Sequence, residues 1–270
     1  LVVCSGEAPA REAQRVTCWL WGHLAHGAGG DPRTVPAPVK GLGGVHVVSA
    51  SVGDAHAAVA TRSGLVFTWG DNSFGQLGTG DERPCRAPEV VAGLADAADA
   101  VLVACGPQYT AAVSADRNLY TWGRNQPSNY PTLFHTSWQN RGGTPCGTEV
   151  ASLACGHHHM AVVTSTGSCW LWGYNEDGQL GCQGPDQLNG FQKPVRPLRD
   201  PRSPLGRIVQ AACGAAHTIV LTESGTAIGF GSNSHGQLGI PSRSSRRYPT
   251  RLLADGSPRT ARVLAAGHAT

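Results

Sequence analysis

One spacing constrains this chain more than any other feature. Gly53 and Gly70, Gly106 and Gly123, Gly156 and Gly173, and Gly214 and Gly231 are each 17 residues apart. The second glycine of each pair follows a large aromatic: Trp69, Trp122, Trp172 and Phe230. An upstream pair, Trp21-Gly22, makes a fifth such corner. Successive corner glycines lie 48, 53, 50 and 58 residues apart. A fixed inner spacing joined by links of variable length marks one rigid unit repeated along the chain.

Three of the corners continue alike. They read Trp69 to Gly78, Trp172 to Gly181 and Phe230 to Gly239. Each carries Asn at the same place (Asn72, Asn175, Asn233) and ends in Gly-Gln-Leu-Gly. Within one unit, residues 47–52, 57–61 and 65–69 are short apolar runs. Turn formers such as Arg62-Ser63-Gly64 and Asp71-Asn72-Ser73 separate them. Apolar runs of this length between turn residues read as strands, and no sustained helical period appears. With 36 Gly and 18 Pro in 270 residues, the chain is expected to be all-β with many tight turns. Strand–turn–strand units of this length, about five of them here, are expected to stack as blades, each burying its faces on its neighbours.

The unit resembles the repeat of the RCC1-like (regulator of chromosome condensation) family. That repeat has a glycine, a ring-bearing residue three positions later, a hairpin, Trp-Gly and Gly-Gln-Leu-Gly. His56, His159 and His217 hold the ring position here, and Tyr109 holds it in the remaining complete unit. The resemblance covers residues 1–270 as one domain and implies an all-β fold, a β-propeller of four-stranded antiparallel blades with about five repeat units visible. Its units fall at about 45–97, 98–148, 149–206 and 207–260, with a split unit formed by 261–270 and 1–44. The family usually has seven blades. Two readings fit the smaller number here: a ring closed by the split unit, or a piece of a longer propeller. The missing initiator Met favours the piece, and a lost targeting segment is compatible with it. The expected location is intracellular, cytoplasmic or nuclear, with an organelle left open because the true N-terminus is expected to be missing.

The structural positions are expected to be Gly53, Trp69, Gly70, Gly106, Trp122, Gly123, Gly156, Trp172, Gly173, Gly214, Phe230 and Gly231. Function is sought where the repeat breaks or where charge collects. After Gly123 the Gly-Gln-Leu-Gly is absent, and the chain instead carries Tyr130, Phe134 and Trp138. These aromatics either cap the blade's edge or form a contact for a partner. The link 183–206 holds Lys193, Arg196, Arg199 and Arg202, with Arg207 just beyond it. The following unit carries Arg243, Arg246, Arg247 and Arg251. These form either solvated loops or a basic rim.

Other chemistries are not indicated. The formal charge of +3 is too small to point to nucleic acid by itself. His157-His158-His159 looks like a metal tract, but His159 fills the ring position and strand neighbours point to opposite faces. No metal, cofactor or catalytic residue is expected, and no apolar stretch is long enough to cross a bilayer. The nine cysteines lack CxxC spacing and are read as reduced, buried thiols. The family's ultraviolet photoreceptors carry a Gly-Trp-Arg-His-Thr signature that this chain lacks.

The resemblance implies a non-catalytic protein-interaction scaffold, part of a larger protein or assembly. The alternatives are a guanine-nucleotide exchange factor for a Ras-like small GTPase, which needs no covalent chemistry, and chromatin or histone contact.

Overall fold

The computed structural model describes residues 2–5, 17–22, 33–95, 99–116, 118–126, 128–133, 150–182, 198 and 205–252. These residues form antiparallel sheets separated by turns, with one helical turn. The chain divides into two compact units, Leu1–Phe134 and His135–Thr270.

The first unit holds three sheets. Strands β1 (Val2–Ser5), β2 (Thr17–Gly22) and β3 (Arg33–Pro38) form one. Strands β4 (Val47–Val52), β5 (His56–Thr61), β6 (Val66–Gly70) and β7 (Cys85–Val90) form the next. After the helical turn α1 (Ala92–Ala95) come β8 (Ala100–Cys105), β9 (Tyr109–Ser114), β10 (Leu119–Gly123) and β11 (Thr132–Leu133). The second unit holds two sheets. One is β12 (Val150–Cys155), β13 (His159–Thr164) and β14 (Cys169–Gly173). The other is β15 (Ile208–Cys213), β16 (His217–Thr222), β17 (Ala227–Gly231) and β18 (Arg246–Arg251). Strands pair in simple meander order within every sheet. Three sheets have four strands, and two have three among the described residues. Residues 253–270, which the split-unit reading adds to the first sheet, lie outside the described residues.

The second strand of each complete unit explains the apolar runs. Every residue of β5, β9 and β13 is buried. A strand covered on both faces loses the usual alternation and reads as a continuous small or apolar run, as in Ala57-Ala58-Val59-Ala60. Neighbouring sheets within each unit supply cover. One core joins Ala58, Ala60 and Val66 to Val103, Ala112 and Trp122. Its counterpart in the second unit joins Ala161, Val163 and Leu171 to Ala211, Val220 and Phe230. Val91 and Leu94, around α1, complete the first of these cores. First strands also meet: Ser51 Oγ accepts from the Cys105 amide at 2.9 Å, and Ser49 Oγ from the Val103 amide at 3.1 Å.

The 17-residue spacing follows from hairpin register. The ring residue always faces the corner glycine, as His56↔Gly70, Tyr109↔Gly123, His159↔Gly173 and His217↔Gly231. The aromatic before the corner faces the residue after the ring, as Trp122↔Thr110. The two glycines serve different needs. Gly70 has φ +114°, and a Cβ there would stand 2.4 Å from the Ala55 carbonyl oxygen. Gly53 has no such φ; its open face carries the His56 ring, 2.5 Å from where a Cβ would stand.

The outermost strands β7 and β18 are edges, and they carry Pro88 and Pro249 among exposed Arg and Glu residues. Proline and charge on an edge discourage pairing with another chain.

Candidate functional site

The buried polar groups account for the repeat. In the first unit, Thr110 Oγ1 donates to the Gln76 carbonyl at 2.8 Å and lies 2.9 Å from His56 Nε2. The hydroxyl's single proton is spent on Gln76, so the imidazole donates from Nε2 and is held as one neutral tautomer. Trp122 Nε1 donates to the same Gln76 carbonyl at 2.9 Å. In the second unit, His159 Nε2 lies 2.9 Å from Thr218 Oγ1, which donates to the Gln179 carbonyl at 2.8 Å. Burial pushes His56 down to about 4, against the opposing pull of Asp71. Burial, and then the neighbouring His217, pushes His159 down to about 3.

The Asn and Gln of the shared loop close it from within. Asn72, Asn175 and Asn233 are fully buried. Their Oδ1 atoms accept from the amides of Leu77, Leu180 and Leu238, each at 2.9 Å. The side-chain oxygens of Gln76, Gln179 and Gln237 accept from the amides two residues earlier. Each element of Asn…Gly-Gln-Leu-Gly is therefore engaged in holding its own turn.

The second complete unit lacks that turn, and its Asn behaves differently. Asn125, the counterpart of Asn72, is exposed and adopts φ +61°. The Gln126 amide donates to Gly123 O, and the Gly123 amide to Ser128 O, so the chain turns tightly toward β11. The Gln126 side-chain amide is buried with neither atom hydrogen-bonded. Sequence reasoning missed Gln126; the absent Gly-Gln-Leu-Gly was the signal beside it.

This broken corner meets the preceding sheet's loop at the surface. The Arg124 guanidinium stacks 4.7 Å over the Phe74 ring and donates to the Gln108 side chain. Asn129 lies against Gly75, and the Tyr130 ring lies against Gly80. Tyr130 is still 54% exposed, so it both covers the neighbouring loop and faces outward. Phe74, Arg124 and Tyr130 thus border one loop, residues 74–80. Phe134 and Trp138, expected beside Tyr130, lie outside the described residues.

Of the arginines and lysine read as solvated loops or a basic rim, the structure describes some. Arg243 and Arg247 are exposed, and Arg246 is half-buried at the start of β18. Arg247 donates to the Glu176 carbonyl at 2.9 Å. Arg207 pairs with Glu223 at 3.0 Å across an exposed surface, so its charge is locally answered. Lys193, Arg196, Arg199 and Arg202 lie outside the described residues. His157 and His158 stack edge-on, and His158 lies 5.2 Å from the Tyr174 ring. Among the described residues no group of three or more His, Cys, Asp or Glu could hold a metal ion. No described helix is long and apolar enough to cross a membrane. The Cys105 and Cys213 thiols are buried and pushed up to about 12 by that burial, which leaves them inert at neutral pH.

Comparison with known proteins follows the repeat. The family model described as RCC1-like domain matches residues 2–270. Over 259 residues the chain is 29% identical to the ultraviolet-B receptor UVR8 of Arabidopsis thaliana, covering 93% of this chain and 57% of that protein. It is 29% identical over 231 residues to the serine/threonine-protein kinase Nek8 of Danio rerio, covering 81% of this chain and 33% of Nek8. The chain thus spans between a third and three-fifths of these relatives. The solved structure of Prp20p from Saccharomyces cerevisiae, described with its binding to Gsp1p and histones, superposes with a TM-score of 0.75 at 18% identity. That match covers 94% of this chain and 63% of Prp20p and concerns the fold. Glycine-hinged antiparallel sheets, a ring opposite each corner and a family match over residues 2–270 agree: this chain belongs to the family of RCC1-like domains, with the all-β propeller fold.

Proposed function

We propose that this domain is a non-catalytic interaction scaffold that binds protein partners as one part of a larger protein or assembly. The observation that carries this is the Phe74–Arg124–Tyr130 surface. It forms where the repeat breaks, and it gathers the residue types that dominate binding hot spots. Elsewhere the repeat's polar residues are consumed in holding turns and joining sheets, which leaves recognition to exposed side chains that vary between units. Phe134 and Trp138 follow Tyr130 closely in the chain and belong to the same proposed contact. Arg243, Arg246 and Arg247 are proposed as a second contact, suited to an anionic partner. The match to one third of Nek8 supports a role inside a larger protein.

Proximity labelling with the full chain tests the first contact. Tyr130→Ala combined with Arg124→Ala should remove a defined subset of labelled partners while the circular dichroism spectrum stays that of the parent. A partner set identical to the parent's would discard this surface.

A second reading is nucleotide exchange on a Ras-like small GTPase, supported by the likeness in fold to Prp20p and its described binding to Gsp1p. An exchange factor binds the nucleotide-free GTPase better than the loaded one. Release of fluorescent GDP should then accelerate on adding the domain, and a panel of GTPases showing no acceleration would remove the reading. Chromatin contact, the third, requires salt-sensitive binding to nucleosomes.

A further inference from the structure

We infer that Ser245, in Arg243-Ser244-Ser245-Arg246-Arg247, is a phosphorylation site for an arginine-directed serine kinase. The placement comes first. Asn233 Nδ2 donates to the Ser242 carbonyl, which pins the end of the shared loop. The Ser244 amide donates to Ser242 Oγ at 3.1 Å, turning the chain outward. The β4–β7 sheet makes the same turn, with Asn72 bonded to the Asp81 carbonyl and the Arg83 amide to Asp81 Oδ1. What differs is the cargo. The β4–β7 sheet presents Glu82-Arg83-Pro84 where the β15–β18 sheet presents Arg243-Ser244-Ser245.

Ser244 and Ser245 are exposed and precede β18, and no hydrogen bond among the described residues engages either hydroxyl. A kinase cleft needs an exposed segment outside regular structure and a free hydroxyl, and this turn offers both. Arg243 stands two residues before Ser245, with Arg246 and Arg247 after it. Arg243 is exposed and lies outside β18, so carboxylates in the cleft of an arginine-directed kinase would read its side chain.

In the reaction Ser245 Oγ attacks the γ-phosphorus of ATP. The new O–P bond forms as the bond to the β,γ-bridging oxygen breaks, ADP leaves, and the hydroxyl proton passes to the kinase's carboxylate base. The product is suited to its surroundings. Residues 243–251 hold Arg243, Arg246, Arg247 and Arg251 and no acidic residue. A phosphate of about −2 would cancel about half of that charge.

The test uses the full folded chain, ATP and a purified arginine-directed serine kinase, read by phosphopeptide mass spectrometry. Phosphate should appear on Ser245, vanish in Ser245→Ala and persist in Ser244→Ala. Arg243→Ala should slow incorporation by about tenfold through the lost charge-assisted contact. The unfolding midpoint of Ser245→Ala, measured alongside, should match the parent and so separate a lost acceptor from a lost fold. Two outcomes overturn the inference: phosphate confined to other residues, and incorporation into a peptide of residues 238–252 but not into the folded chain.

Discussion

Thr110 illustrates how one side chain can serve two sheets. It stands on β9, yet its hydroxyl joins the His56 ring and the Gln76 carbonyl, both belonging to the preceding sheet. Thr110→Val keeps the shape and leaves the His56 Nε2 proton without an acceptor. The expected cost is about 1–3 kcal/mol, read as a lower urea midpoint. A midpoint equal to the parent's would mean that water or another group replaces the hydroxyl. Gln76 keeps its Trp122 donor in that variant, so the loss falls mainly on the histidine. Trp122→Ala removes that donor and a fully buried ring together, and should cost about 3–5 kcal/mol. The glycines, the corner aromatics and the ring residues were all legible in the sequence, because each recurs at a fixed offset. The His–Thr pairing was harder to read. Thr follows the ring residue at Tyr109 and His217 but not at His56 or His159. The partner of each such Thr is a histidine 54 or 59 residues earlier, a relation that no single repeat displays.

The hairpin is the element that tolerates least. A Cβ on Gly53 would stand 2.3 Å from the Gly106 carbonyl oxygen, which is backbone and cannot swing aside. Gly53→Ala should therefore destabilise the chain by about 1–3 kcal/mol, as overpacking does. Gly43→Ala is the matched control. Its Cβ would meet nothing within 4 Å, so its stability should stay within about 0.5 kcal/mol of the parent's. Equal effects at the two positions would refute the close-approach account. The first three strands of a unit were legible: the run read at 47–52 is β4, and those read at 57–61 and 65–69 match β5 and β6 to within one residue. The outermost strand was not individually legible. In β7, Cys85-Arg86-Ala87-Pro88-Glu89-Val90 mixes charge with a proline, and only its pairing with β6 makes it a strand. The surface at Tyr130 was half legible. Its aromatics stood out, but Phe74 and Arg124 join it only through the fold, 56 and 6 residues away in sequence.

At the scale of the whole molecule, both units hide a neutral histidine, and this sets the chain's response to acid. His56 titrates near 6.5 when exposed and at about 4 in the fold, and His159 at about 3. Between those values the unfolded chain binds more protons, so stability rises with pH. The contribution is complete above about 6.5 and fades as pH falls toward 4, by about 3 kcal/mol for His56 alone. Urea midpoints at pH 7 and pH 4.5 should differ in that direction, and His56→Gln should flatten part of the slope. Coincident midpoints would show that the imidazoles are not what the fold keeps uncharged.

The carbonyl of Gln76 waits for Thr110, 34 positions on, and for Trp122, 46 positions on; that of Gln179 waits for Thr218, 39 positions on. On a ribosome, then, each module would emerge with a debt to the one behind it. The nascent polypeptide would mature in a wave that trails translation by one module, with the most recent still unset.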